Sequence, residues 1–193
     1  MVLSTGYNKI RTAVFISGTG SNLKSLIKFS KTNKSPISID FVVSNNSKAR
    51  GLNYAKIHEI KKKVLNFKNK NLSEKKLLSV LKANNIEMIC LAGFMKILSK
   101  NFIKKFKGKI LNIHPSLLPK YKGLNTHQRV LNNNEKYSGC TVHFVNSKLD
   151  SGKIIFQKKI KILKKDTPKS LAKKVLAEEH KLYPKAILKV ISP

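Results

Sequence analysis

Asn112 and His114 stand two apart at the end of the run Lys109-Ile110-Leu111-Asn112-Ile113-His114, and a proline follows at 115. The run reads as a buried strand, and Pro115 lacks the N–H that a central strand needs, so the strand ends at His114. Side chains two apart on a strand share a face. An amide and an imidazole therefore lie side by side at a strand's carboxyl end, where an open α/β sheet keeps its chemistry. Such a pair suits an oxygen that becomes negative during a reaction. The alternative is a histidine that closes a strand and an asparagine that begins a turn. A second place for chemistry is Gly18-Thr19-Gly20-Ser21-Asn22, between the β-branched and aromatic run Thr12–Ser17 and an amphipathic stretch with Leu23, Leu26 and Ile27 on one face. Strand, glycine turn and helix aim free backbone N–H groups and a positive dipole end at an anion. Gly18 and Gly20 let the backbone come close, while Ser21 and Asn22 can donate or cap. The third glycine of a dinucleotide fingerprint and the Gly-Lys-Ser/Thr of a triphosphate loop are both missing, so a monophosphate is the better fit among phosphate ligands, with an ordinary βα turn and polar cap as the alternative.

These residues need elements to position them. Ile37–Val43 reads as a strand that closes in Ser44-Asn45-Asn46-Ser47, followed by a helix from Lys48 to about His58, whose solvated end is His58. Val64–Phe67 reads as a short strand, and Ser73 as the N-cap of a helix carrying Leu77, Leu78 and Leu81 to about Asn84. Met88–Ala92 is a fully apolar strand, then comes the turn Gly93–Leu98 and a short helix opened by Ser99 and running through Phe102, Ile103 and Phe106. Past the loop to Gly123, a helix near Thr126–Leu131 leads to two strands, Thr141–Val145 and Ile154–Gln157, whose connection holds Asp150. A last helix begins at Thr167-Pro168 and carries Leu171, Val175, Leu176 and Leu182. Strands alternating with helices predict an α/β fold with an open, mostly parallel, Rossmann-like sheet, helices on both faces and an antiparallel C-terminal edge. The loops 18–22, 44–47, 93–98 and 112–119 then share one rim. Residues 1–193 are expected to form one domain, without repeats or linkers.

The composition excludes several classes. An apolar content of 41% is globular, and no apolar run approaches the ~20 residues of a membrane span. The short run Ala13-Val14-Phe15-Ile16 is no secretory signal, so a cytoplasmic setting is expected. The net charge of +31 invites a nucleic-acid reading. Only three of the forty basic residues are arginine (Arg11, Arg50, Arg129), and the lysines are strewn along the whole chain. Abundant Lys, Asn and Ile with no Trp fit translation from an AT-rich gene, so the charge is read as a surface property, with no specific nucleic-acid partner. A salt-sensitive affinity for anionic ligands is expected either way. Cys90 and Cys140 lie in strand-like runs and are expected as buried free thiols. The absence of a clustered Cys/His set argues against a metal. His127 opens a helix and His143 sits within a strand, and both are read as structural.

Taken together, Gly18–Asn22, Leu91-Ala92-Gly93-Phe94-Met95, Asn112–Pro119 and Leu149-Asp150-Ser151-Gly152 resemble the phosphoribosylglycinamide formyltransferase family, in order and over nearly the whole chain. Asn-x-His-Pro with a later Asp is shared by all transferases of that kind that use formyltetrahydrofolate, and the early glycine loop favours the glycinamide ribonucleotide member. The resemblance implies that the amine of glycinamide ribonucleotide takes the formyl group of 10-formyltetrahydrofolate, a co-substrate, with no metal and no covalent enzyme intermediate. Asn112 and His114 would stabilise the oxyanion, and Asp150 would tune His114 and relay protons through water. A carboxylate near an imidazole favours its doubly protonated form, and a cationic donor stabilises developing charge more than a neutral one. The same resemblance gives Gly20, Ser21, Asn22 and Glu179 to the ribonucleotide. Met95, Lys96, Ile97 and Leu98, with Asn112 and the loop Asn146, Ser147, Lys148, Leu149 and Asp150, go to the folate.

By that resemblance the N-terminal half binds the ribonucleotide, and the C-terminal half binds folate and carries the chemistry. The partners would be these two small molecules, with no membrane, and the protein a monomer or weak homodimer. The chain departs from the family where an arginine before the third helix has no match among the lysines of Asn66–Ser73. Lys96 stands for an arginine, a point charge in place of a planar fork, and Asn125 for a histidine. The C-terminus is expected to be trimmed. Alternatives are another formyltetrahydrofolate-dependent formyltransferase or deformylase, or a non-catalytic basic nucleic-acid-binding module.

Overall fold

The computed structural model describes residues 8–192. In chain order the elements are β1 (Ile10–Ile16), α1 (Ser21–Ser30), β2 (Ile37–Ser44), α2 (Leu52–Ile57), β3 (Lys61–Val64), α3 (Lys70–Ala83) and β4 (Met88–Leu91). Then follow α4 (Lys100–Lys105), β5 (Lys109–His114), α5 (Thr126–Asn132), β6 (Tyr137–Phe144), β7 (Ile154–Lys161) and α6 (Pro168–Ile191). The strands make one seven-stranded sheet in the order β3-β2-β1-β4-β5-β6-β7. Pairing is parallel from β3 through β5 and antiparallel from β5 to β7. The expected α/β fold, with helices on both faces and an antiparallel C-terminal edge, is what forms.

Central strands are apolar on both faces because both are covered. Val14, Leu26, Val42, Cys90, Leu111, Val142, Leu171 and Val175 fill a cluster beneath α1, α2, α5 and α6. Phe15, Val43, Leu77, Leu81, Ile89, Phe102 and Ile110 fill the opposite one beneath α3 and α4. Tyr183 of α6 is fully buried, its hydroxyl 3.1 Å from the carbonyls of Leu91 and Leu111, which ties that helix to β4 and β5. A capping box between Thr167 and Ser170, with Pro168 in the first turn, starts α6.

Several local readings shift. The third strand is Lys61–Val64, not Val64–Phe67, because β3 is the sheet's edge and needs only its backbone against Phe41–Ser44. Its side chains are all exposed, so lysines suit it. The segment 48–51 is a turn rather than helix. The Asn46 side chain accepts from the Lys48 N–H at 2.9 Å, and the Gly51 N–H bonds the Gly18 carbonyl at 3.0 Å, so α2 begins only at Leu52. Ser73 is not the cap of α3. Asn69 caps it, accepting from the Leu72 N–H at 3.1 Å, while Ser73 is buried one turn in and donates to the carbonyls of Asn66 and Asn69. Strands β6 and β7 are each longer than expected, starting at Tyr137 and ending at Lys161.

Candidate active site

β5 outruns β4. Leu91, the last residue of β4, pairs with Asn112, so Ile113 and His114 have a partner only in β6. Ile110 packs under the α3/α4 face, and period two puts Asn112 and His114 on that same face, past the reach of any helix. Because β6 is antiparallel, Asn112 lies opposite His143 and His114 opposite Thr141, and cross-strand partners share a face. β6 runs back until Phe144 pairs with Leu111, and the loop that follows folds across this face to bring Asp150 onto the pair.

The resulting cluster is buried and tightly specified. The side chains of His114, His143 and Asp150 are 7%, 3% and 9% exposed. His114 Nε2 is 2.9 Å from the Tyr121 carbonyl, which can only accept, so Nε2 carries its hydrogen. Nδ1 faces Asp150 Oδ2 at 3.4 Å. Both ring nitrogens thus face acceptors, an arrangement that the imidazolium satisfies completely. Asp150 adopts φ 44°, and its Oδ2 also accepts the Gly123 N–H at 2.9 Å. His143 Nδ1 donates to the Phe144 carbonyl at 2.8 Å, leaving Nε2 to accept from the Asn112 amide at 3.2 Å. Burial holds the His143 imidazole below its ordinary value, ahead of opposing contributions from the Phe144 carbonyl and Asp150. A neutral His143 in that tautomer fixes which way the Asn112 amide points. The other amide N–H lies 3.4 Å from Asp150 Oδ1. Thr141 pins the preceding loop by donating to the Ser116 carbonyl at 2.6 Å and accepting from the Leu118 N–H at 3.1 Å.

At the other end of the rim, Gly20 caps α1 in the left-handed region (φ 75°) without any side-chain cap, leaving first-turn N–H groups free of intrahelical partners. A Cβ on Gly20 would meet the Cα of Gly51 at 2.6 Å, so the close approach of these two loops requires glycine. Asn22 donates to Glu179 Oε2 at 2.7 Å, and its Oδ1 is buried without a partner. Burial pushes the Glu179 carboxyl up to about 7, against the lowering effect of the Asn22 bond. Ser17, just before the glycine turn, ties it to the 93–98 and 44–47 loops: its hydroxyl takes the Met95 N–H at 2.7 Å and meets Asn45 at 2.5 Å, while its N–H bonds the Gly93 carbonyl at 3.1 Å. Met95 and Ile97 are each 59% exposed beside these loops and Lys96 is exposed, but Leu98 is buried in the core with Phe102. Its side chain is therefore not part of an open wall. In the 146–150 loop, Asn146 accepts from the Lys148 N–H at 2.9 Å, which leaves Ser147, Lys148 and Leu149 exposed.

Of the residues that the sequence put forward, the structure brings Asn112, His114 and Asp150 together, and pairs Asn22 with Glu179. Missed were His143, Ser17, and the backbone of Tyr121 and Gly123. The cross-strand register of β5 and β6 would have disclosed His143. The other histidine read as structural, His127, lies in α5 with a buried, unpartnered Nδ1, and burial lowers its pKa first, the charge of His114 second. Cys90 and Cys140 are buried free thiols, both pushed up to about 12 mainly by burial. A groove of about 720 Å³ lies at the opposite end of the sheet between α3 and α4, lined by Leu78, Ile86, Met88 and Phe106. It holds no acid–base constellation, so chemistry rather than volume selects the site. No described helix is long and apolar enough to cross a membrane.

Residues 10–187 match the formyl transferase family. Among curated relatives, the phosphoribosylglycinamide formyltransferase of Haemophilus influenzae is 41% identical over 180 residues, covering 92% of this chain and 85% of that protein. The human trifunctional purine biosynthetic protein adenosine-3 is 43% identical over 187 residues, or 95% of this chain, which spans only 18% of that relative's length. The crystal structure of the Brucella melitensis phosphoribosylglycinamide formyltransferase superposes with a TM-score of 0.90 at 41% identity, covering 96% of this chain and 97% of that one.

Proposed function

The chain belongs to the formyl transferase family, and within it to the phosphoribosylglycinamide formyltransferases; from that premise we propose that it transfers the formyl group of 10-formyltetrahydrofolate to the amine of glycinamide ribonucleotide. The observation that carries this reading is the convergence of Asn112, His114 and Asp150 at the open end of β5.

The acceptor amine attacks the formyl carbon, a C–N bond forms, and the carbonyl oxygen becomes an oxyanion. Asn112 and His114 supply N–H donors to it. At rest His114 Nε2–H faces the Tyr121 carbonyl, and an oxyanion, the stronger acceptor, takes that hydrogen over as charge develops. Asp150 faces Nδ1 at 3.4 Å and holds the ring's orientation as charge develops on the oxygen. The amine must lose a proton and the folate nitrogen gain one as its bond to carbon breaks, and Asp150 relays that proton through water. The exposed apolar side chains of Met95, Ile97 and Leu149 fit the flat ring of a folate, with Lys96, Asn146, Ser147 and Lys148 around it and Leu98 contributing backbone alone. The uncapped start of α1 at Gly20, Ser21 and Asn22 receives the phosphate, and Glu179 reaches the ribonucleotide beside Asn22. In this reading the whole chain acts as one formyltransferase domain in the cytoplasm, as a monomer or weak homodimer, and needs no metal.

The test is turnover of purified protein with 10-formyltetrahydrofolate, with and without glycinamide ribonucleotide. The reading predicts folate turnover that depends on the ribonucleotide. Cofactor consumption without it would instead indicate a deformylase.

A further inference from the structure

The loop that completes the site is itself clamped from α5, and we propose that Arg129 is a positioning residue for His114 and Asp150. The inference rests on the formyl-transfer reading for its kinetic consequence but not for its structural one. Tyr121, Gly123 and Asn125 all have left-handed φ values (57°, 77° and 55°). Glycine adopts that region freely, whereas a tyrosine stays there only where its surroundings over-determine it. Arg129 Nη1 donates to the Lys122 carbonyl at 2.7 Å and to the Leu124 carbonyl at 3.4 Å, and its guanidinium lies 5.4 Å from the centre of the Tyr121 ring. From the turn after α5, Glu135 accepts the Tyr121 hydroxyl and the Lys120 ammonium, each at 2.9 Å, and Asn133 donates to the same hydroxyl at 2.9 Å.

Held this way, the loop offers two backbone atoms to the reacting pair. The Tyr121 carbonyl faces His114 Nε2, and the Gly123 N–H donates to Asp150 Oδ2. Both partners of the pair are thus oriented by one short loop, and among the side chains that hold it Arg129 is the one that bonds the 122–124 backbone itself. The role suits arginine. One nitrogen, Nη1, reaches both carbonyls while the delocalised cation lies over the Tyr121 ring, a reach and shape that a compact ammonium does not reproduce. Arg129 is exposed and belongs to neither apolar cluster, so its replacement leaves the core untouched.

The experiment uses the full chain with Arg129→Met and Arg129→Lys. It measures kcat, the KM for glycinamide ribonucleotide, the melting temperature, and the solvent-protected imidazole N–H resonance of His114, assigned by its absence in His114→Gln. We expect Arg129→Met to lower kcat by about tenfold or more with the ribonucleotide KM within about twofold, and to lose the protected resonance. Arg129→Lys, keeping one carbonyl bond, should fall between it and the parent. Unchanged kcat and resonance would overturn the proposal, as would a loss of kcat that only tracks the loss of folded protein with the resonance intact. A faster variant would also overturn it, since the Tyr121 carbonyl would then compete with the oxyanion rather than orient the ring. If the parent fails to transfer formyl to the ribonucleotide, the functional reading fails, while the resonance still decides whether Arg129 positions His114.

Discussion

The two ends of the rim are built from opposite materials. Around β1 the free donors are backbone, at a glycine in the left-handed region and an uncapped helix start, beside one buried carboxyl paired with an amide. Around β5 the working groups are side chains, two imidazoles, a carboxylate and an amide, each held by a hydrogen bond from another strand or loop. The difference follows from what each end meets in the proposed reaction. A phosphate keeps its charge throughout, so fixed dipoles suffice to hold it. An oxyanion exists only part-way, so the groups that meet it must donate, orient and exchange a proton on demand.

Substitutions can break that contrast. The largest effect is expected from Asn112→Ala, which removes an oxyanion donor together with the partner of His143 and Asp150. It should lower kcat by roughly 10²–10³, read in the formyl-transfer assay. Glu179→Gln probes a buried carboxyl at the phosphate end. Its carboxyl is raised from 4.5 to about 7 by burial, so the neutral form is the one that folding favours. The stability linked to it is present below about pH 4.5 and is lost as pH rises through 7. Glutamine stays neutral, keeps an acceptor for Asn22 and adds a donor for the orphaned Asn22 Oδ1. It should therefore stabilise by up to about 3 kcal/mol at pH 8, with the gain vanishing toward pH 4.5, measured as denaturant midpoints at both pH values. The smallest effect is expected from Gly20→Ala, where a Cβ would press on the Gly51 backbone at a left-handed φ. It should cost about 2 kcal/mol and raise the ribonucleotide KM, while kcat at saturation stays near the parent's.

What could be read from the sequence divides along the same line. The glycine turn, the strand ending at Pro115 and the apolar runs of β1, β2 and β4 are visible because burial on both faces writes itself into residue type. β3 is hard to place because an edge strand pairs through backbone, and Lys61-Lys62-Lys63 carries no apolar signal. The cap of α3 is ambiguous in the sequence because Ser73 and Asn69 are both good caps, and only the 3.1 Å bond to Leu72 separates them. His143 looked like an ordinary strand residue because its function depends on the register opposite Asn112, a non-local fact. Tyr121 and Gly123 act through a carbonyl and an N–H that every residue of their kind possesses, so no spacing could have marked them.

The most direct test of this division is to titrate Asn112→Ala with glycinamide ribonucleotide by calorimetry beside its turnover. The account predicts a Kd within about twofold of the parent while kcat falls by roughly two to three orders of magnitude. A Kd that weakens in step with kcat would contradict it, because the end that reacts would then also be the end that binds.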